Sequence, residues 1–399
     1  MNILFITQLL PYPTTSGGQF KTFSILKTLA KTNKIHLVTF HDKNLKAKNA
    51  KKLEKLLKIK VKSFYWPVIS TESKKLFIKA ILSIFSPKPF RTCKYFSTKT
   101  ANYLKKISKQ NHFDIIYFDH TSSFQYLSFI NKTSNTKVIY DEHNINSIAM
   151  WRKAKSKLTP HKFIFFALDA LKYYFYEKKV IKKSDHIFCI SKNDLEILIK
   201  RGSSKNNLSV LPIPIKTNNL YKTKHKPNIL FIGLMSWAPN IHGFWWFYES
   251  IYPKIKEKIP NITLTIVGPR PNKKLLNLNK IDKSVTITGQ VPFLTPYYKK
   301  ASVFIAPILT GGGIRIKIIN SLAAGIPTTS TTIGTEGIPY QNNKNILIAD
   351  TPKQFASTII KIINNKKLAQ KLSQNGIRLI KNHYSEKQTQ KALNSILCN

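Results

Sequence analysis

The stretch Gly311-Gly312-Gly313-Ile314-Arg315-Ile316-Lys317-Ile318-Ile319-Asn320-Ser321-Leu322-Ala323-Ala324-Gly325-Ile326-Pro327 runs a glycine triplet into an amphipathic segment. Ile314, Ile318, Ile319 and Leu322 recur at helical spacing, and Gly325 followed by Pro327 supplies a stop, so a helix is predicted over 314–324. Two cations, Arg315 and Lys317, stand in its first turn, where the helix dipole favours negative charge. A bound anion reverses that cost, because the open N–H groups of the helix start and both cations then face it. The stretch reads as a cradle for a nucleotide diphosphate. The plainer alternative is a loop–helix junction whose charges are simply solvated.

Working outward, short apolar runs alternate with helical patterns. Strands are expected near 229–233, 262–267, 285–288, 302–306, 326–330 and 346–348, with helices near 242–257, 314–324 and 353–365. The first half has the same rhythm. A buried strand over Ile3–Ile6 leads into a loop with Pro11, Pro13, Gly17 and Gly18, then a helix near Phe20–Thr32 and a strand over Ile35–Phe40. Further strands are expected at 61–66, 114–118, 137–141, 186–190 and 208–211. Strand, glycine loop, helix and strand in that order make a Rossmann-like opening. It lacks G-x-G-x-x-G and an acid closing the second strand, which argues against a dinucleotide dehydrogenase. Gly17-Gly18 is either a phosphate or acceptor loop or a plain tight turn. A polar passage from Lys216 to Lys226 with no apolar period marks the domain boundary.

The chain has 65 basic and 18 acidic residues, a formal charge of +47. Residues 1–215 hold 39 basic and 12 acidic groups and residues 216–399 hold 26 and 6, so the excess is spread and not gathered in a tail. Only six of the cations are arginine. Bidentate reading of bases favours Arg, so nucleic acid is not expected as a partner. Lysine point charges suit an anionic membrane surface, and a compositional bias without function explains them equally well. Cys93, Cys189 and Cys398 stand far apart with no C-x-x-C pair, which suits a reducing compartment and offers no metal site. No signal peptide or spanning run is visible, and a cytoplasmic location is expected.

Two segments carry membrane-surface character. Residues 43–62 interleave nine lysines with Leu45, Leu53, Leu56, Leu57 and Ile59. Residues 74–96 combine Lys74, Lys75, Lys79, Lys88, Arg91 and Lys94 with Phe77, Ile81, Leu82, Ile84, Phe85, Phe90 and Tyr95. Either each docks on a bilayer or each packs its apolar stripe on its own domain.

The second half also carries Gly233-Leu-Met-Ser-Trp237-Ala-Pro239-Asn240-Ile-His-Gly243, Trp246-Phe247, Ile266-Val267-Gly268, Thr288-Gly289-Gln-Val291, Pro307 and Gly334-Thr-Glu336-Gly337. Together with the glycine triplet these resemble the family-4 retaining glycosyltransferases, in the branch found in bacterial exopolysaccharide and lipopolysaccharide gene clusters. In the first half Asp141-Glu142-His143-Asn144 resembles that family's histidine motif, and Asp185-His186-Ile-Phe-Cys-Ile-Ser191-Lys-Asn-Asp194 its D-x-(apolar)-S-x-x-D segment.

The resemblance implies an α/β GT-B fold, with two Rossmann-like domains and parallel sheets facing across a cleft. Residues 1–215 would bind the acceptor, a glycan or a lipid-linked glycan, and 216–375 the nucleotide sugar, UDP- or GDP-linked. A helix over 376–399 would cross back to the first domain. The implied site places His143 at the reaction centre with Asn144 beside it. Gly311, Gly312, Gly313, Arg315, Lys317, Asn320, Asn240 and Glu336 would hold the donor, without a metal and with no bound cofactor. Gly312 and Asn320 stand where the wider family has two glutamates, and Asn146 where a Glu usually follows the His-Asn pair. Phe293 and Leu309 stand where branch members often have Asp and Arg. Two readings follow: an active enzyme low in acids, or a degenerate module of the same fold that binds a glycan, lipid or partner.

Overall fold

The structure, a computed structural model, describes residues 1–14, 16–42, 47–66, 78, 82–155, 159–221 and 226–397. They divide into two compact units: Met1–Ile213 with Thr389–Asn399, and Pro214–Gln388.

The first unit is a seven-stranded sheet in the order β3-β2-β1-β4-β5-β6-β7. Its strands are β1 Asn2–Thr7, β2 Lys34–His41, β3 Lys60–Tyr65, β4 Ile115–Asp119, β5 Lys137–Asp141, β6 His186–Cys189 and β7 Leu208–Val210. Every neighbouring pair is parallel. Crossovers contain helices α1 Gly17–Leu29, α2 Ala47–Leu57, α3 Phe90–Lys94, α4 Thr98–Gln110, α5 Asn146–Ala154, α6 Pro160–Lys183 and α7 Lys192–Lys200. Alternate side chains of β1 go to opposite faces: Leu4 and Ile6 join one core, Ile3 and Phe5 the other. Both faces are covered, which is why the strand reads as a continuous apolar run.

The second unit is a six-stranded parallel sheet in the order β10-β9-β8-β11-β12-β13. Its strands are β8 Asn228–Ile232, β9 Thr263–Val267, β10 Val285–Ile287, β11 Val303–Ala306, β12 Thr328–Ser330 and β13 Leu347–Ile348. Its helices are α8 Ala238–Ser250, α9 Tyr252–Lys258, α10 Lys273–Ile281, α11 Thr295–Lys300, α12 Ile316–Ala323, α13 Pro352–Asn364 and α14 Lys366–His383. In each sheet the strand order reverses beside its first strand, at β1/β4 and at β8/β11. Such a switch point opens a crevice at the carboxyl ends of the strands.

Several expected boundaries move for local reasons. The first helix begins at Gly17, not Phe20, because Ser16 caps it through Gln19 N–H. The helix expected over 242–257 is two, α8 and α9, since Pro253 cannot continue the ladder through Ile251. The unit boundary falls at Ile213/Pro214 instead of 215/216. Residues 218 and 220 are already bonded to the carbonyls of Ala323 and Ala324, and 222–225 lie outside the described residues.

The helix expected over 376–399 is also two. α14 ends at His383, and α15 Glu386–Leu397 buries Leu393 and Leu397 in the first unit's core. Thr389 Oγ1 ties that last helix to Pro212 O at 2.8 Å.

The stripe of residues 47–62 packs inward. Leu53, Leu57 and Ile59 are buried in the first unit, which leaves Leu56 exposed. Of its two readings, packing on its own domain holds for these residues; Lys43 to Lys46, with Leu45, lie outside the described residues. So do Lys74, Lys75, Phe77, Lys79 and Ile81 of the second segment, and Cys398. Among the described residues no helix is long and apolar enough to cross a membrane.

Candidate functional site

In the first unit the carboxyl ends of β1, β4 and β5 bring Thr7, Asp119 and Asp141 level, since Thr7 pairs with Asp119 and Asp119 with Asp141. Asp119 is fully buried and accepts from four side chains. These are Thr7 Oγ1 at 2.5 Å, Thr22 Oγ1 at 3.0 Å, His120 Nδ1 at 2.7 Å and His143 Nε2 at 2.7 Å. Burial alone would raise its carboxyl. The charge of His120 and the hydrogen bonds from both histidines hold it well below the usual carboxylate range.

Asp119 therefore stays an acceptor, and His143 must present Nε2–H to it. Burial, His120 and Lys21 hold the His143 imidazole neutral, so its Nδ1 carries a lone pair that can accept from a hydroxyl. His120 stacks on His143 with ring centroids 3.7 Å apart. Its backbone sits at φ +73°, a left-handed conformation that non-glycine residues rarely adopt and that gathers at functional sites.

The other carboxylate, Asp141, is paired with buried Lys21 at 2.5 Å and receives Tyr117 OH at 2.9 Å. Beyond it Glu142 is pushed up to about 8 by burial and by Glu177, although Tyr140 OH at 2.5 Å and Asn144 N–H at 3.0 Å pull the other way. At neutral pH it is mainly a protonated acid.

A polar pocket opens here, lined by Gln8, Arg91, His120, Thr121, Glu142, His143, Asn144, Asn146 and Tyr173, among others. Asn146 donates to Thr121 Oγ1 at 2.7 Å. Gly17 and Gly18 open α1 at the same end of the sheet. A Cβ on Gly18 would sit 3.6 Å from His120 Nε2, an ordinary contact, so space there does not demand glycine.

Asp119, His120 and His143 also form a cluster whose ligand atoms lie within 4.8 Å of one another. Their 2.7 Å separations are those of hydrogen bonds that these groups make among themselves.

In the second unit the triplet lies in the connection after β11, and Gly311 and Gly313 have φ of +108° and +79°, where a side chain would be strained. Arg315 is the N-cap residue of α12. It is 5% exposed, with Nη1 donating to Gly312 O and Gly313 O and its guanidinium 5.6 Å from the Trp237 ring centroid. It thus holds the loop in shape. Lys317, half-buried, donates to Asn240 Oδ1 at 2.7 Å and stands 4.5 Å from the Phe231 ring centroid. Burial and the nearby Arg315 charge push it down to about 7.

Asn240 comes from α8, so the connections on both sides of the β8/β11 switch point meet at Lys317. Its Nδ2 donates to Leu234 O at 2.9 Å and would lie 2.6 Å from a Cβ on Gly233. Asn320 is half-buried one turn beyond Lys317, and Glu336 is half-buried after the short turn Ile333–Thr335. His242 is exposed.

Ser191 and Asp194 have a structural role: they cap α7, with Ser191 Oγ 2.7 Å from Asp194 Oδ2. Sequence reading passes over Asp119, His120 and Lys21, and gives Arg91 to the surface segment 74–96 and not to this pocket. An Asp-His pair ending a central apolar strand is the signal that was there to be read.

Residues 22–219 match the family model described as Glycosyltransferase Family 4, and residues 226–365 match that of glycosyl transferases group 1. Each Rossmann-like unit thus has its own family match. Both matches are to glycosyltransferases, and the fold is GT-B. One relative is an uncharacterised 44.6 kDa protein in the cps region of Klebsiella pneumoniae, 26% identical over 54% of this chain. The match spans 58% of that relative's length.

Among solved structures, Anabaena HepE in complex with UDP and glucose superposes with a TM-score of 0.69 at 12% identity, over 100% of both chains. A mutant of S. aureus TarM, in complex with fondaparinux, alpha-GlcNAc-glycerol and UDP, gives 0.70 at 12% identity, again over 100% of both. At such identities the likeness is one of fold.

Proposed function

We propose that this GT-B glycosyltransferase moves a sugar from a UDP- or GDP-linked donor to a growing cell-surface glycan, of lipopolysaccharide, capsule or exopolysaccharide type, with retention of configuration. In this reading the second unit takes the nucleotide diphosphate. Lys317 and the open N–H groups at the start of α12 neutralise the leaving phosphates, so that protein cations serve where other enzymes use a metal. Arg315 keeps the triplet in shape and adds its charge to the same field. Fixed donors aimed at developing charge lower a barrier without reorganising during the step. Asn240 orients Lys317, and Asn320 and Glu336 are candidates for ribose or sugar contacts.

The first unit takes the glycan or lipid-linked acceptor at the pocket beside Gly17, Gly18 and Asn144, with His143 receiving a sugar hydroxyl at Nδ1. The enzyme works on the cytoplasmic side, held peripherally on the anionic inner face of the membrane.

One observation carries this reading. A half-buried lysine is held with its ammonium on Asn240, beside a glycine triplet with two left-handed residues, at the switch point of a parallel sheet. Such a lysine is costly unless an anion repays its desolvation. Isothermal titration with UDP and with GDP tests it. Micromolar binding to one nucleotide is expected, weakened at least about tenfold in Lys317→Ala, the loss of a charge-assisted contact. No binding to either would favour the second reading, a degenerate glycan- or lipid-binding module. The observation on that side is that Gly312 and Asn320 leave two family carboxylates unreplaced.

A further inference from the structure

Helix α6 has two apolar faces. Ala170, Tyr173, Tyr176, Val180 and Ile181 are buried in the first unit. On the opposite side Ile164, Leu168, Leu171 and Phe175 recur at i, i+4, i+7 and i+11, a stripe about 17 Å long at 1.5 Å per residue. Ile164, Leu171 and Phe175 are 63%, 54% and 61% exposed. Beside the stripe Lys172 Nζ donates to Ser83 O at 2.6 Å and Ile84 O at 2.8 Å. These bonds clip onto α6 a segment whose Leu82 and Phe85 are 62% and 85% exposed. Phe90 N–H to Asp169 Oδ1 at 2.7 Å fixes the far end of that segment. A folded chain rarely leaves so much apolar surface contiguous and open without a partner.

The surrounding charge is of one sign. In 82–94 and 146–183 the acids are Asp169 and Glu177, both buried and both bonded inside the unit. Lys179 and Lys182, four and seven residues beyond Phe175, are exposed at the carboxyl end of the stripe on the same helix face. We propose that this face of α6, with the clipped 82–85 segment, is a docking surface for an anionic lipid bilayer. The helix lies in the interface, its aliphatic and aromatic side chains enter the acyl boundary, and the lysines meet headgroup phosphates. A second copy of the chain would set lysine against lysine across an isologous contact. Nucleic acid offers nothing apolar to cover Ile164 and Leu171.

The inference rests on the membrane part of the proposed function and gives it a place that the 43–62 segment does not. Co-sedimentation of the full chain is measured with vesicles of equimolar phosphatidylcholine and phosphatidylglycerol, and with phosphatidylcholine alone. Binding to the anionic vesicles is expected. It should weaken at least about tenfold in F85S/L171S/F175S. A comparator with exposed apolar side chains removed elsewhere, L276S/I281S on α10, should bind as wild type.

Equal binding to neutral vesicles, or a triple variant that binds as wild type, would overturn the assignment. So would a wild-type dimer that the triple substitution converts to monomer. The assay contains no nucleotide, and a UDP titration on the same samples tests the donor site separately; a far-ultraviolet circular dichroism spectrum and urea midpoint equal to wild type report that the first unit of the triple variant is folded.

Discussion

Lys317 is the residue on which the donor reading turns. Its ammonium, near 7 through burial and Arg315, is partly neutral in the free protein, against an ordinary lysine value near 10.5. Between those values the unfolded chain binds the extra proton, so on this residue's account stability rises with pH from about 7 toward 10.5. A bound diphosphate favours the charged form instead. Titration of UDP at pH 8 should take up a fraction of a proton, read from the heats in buffers of unequal ionisation enthalpy. Affinity should fall by up to about tenfold per pH unit above 7. A proton balance of zero at pH 8 would show that Lys317 does not meet the phosphates. His143 gives a different signature. With Nε2–H committed to Asp119, its Nδ1 is the working atom, and His143→Ala should lower kcat by about 100-fold while UDP affinity stays put. A change in affinity with kcat preserved would make the ring a scaffold and no more.

At the scale of elements, close approach decides what can change. A Cβ on Gly243 would sit 1.9 Å from Pro307 O, where α8 presses on the connection after β11. Gly243→Ala should therefore cost about 2 kcal/mol or more in urea unfolding, as overpacking does. It should also disturb Asn240, three residues earlier on the same helix. The central strands were legible because they are buried on both faces and read as apolar runs, as Ile3–Ile6 and Val303–Ala306 do. Helix ends were less so, because Ser16 and Pro253 act by capping and by a missing N–H, which periodicity does not register. The site divides the same way. His143 and the glycine triplet announce themselves locally. Asp119 and His120 do so only as a polar pair ending an apolar strand, and Lys21 not at all, since it meets Asp141 across 120 residues. The amphipathic pattern of 47–57 left two readings open for a related reason: a stripe shows that something covers it, not what does.

At the scale of the whole molecule, each unit has its own apolar core, so a ligand held by one should stabilise that one. UDP at 100 times its Kd contributes about 2.7 kcal/mol to the unit that binds it. Hydrogen exchange should then slow across 228–348 and leave 2–141 unchanged; uniform slowing would show that the units do not open independently. The spread of lysines over both halves is no guide to a partner by itself, whereas exposed lysines at the end of an uncovered apolar stripe are. The last helix has a further consequence, for biosynthesis. Leu393 and Leu397 complete a core begun by Ile3 and Phe5, and Thr389 closes on Pro212, so residues made early and late in translation share one interior. The first unit's sheet can assemble its strands while the ribosome is still at work. One flank stays greasy and bare until the second unit has been made and Glu386–Leu397 has emerged. A nascent chain stalled before Glu386 should be the form that chaperones hold longest.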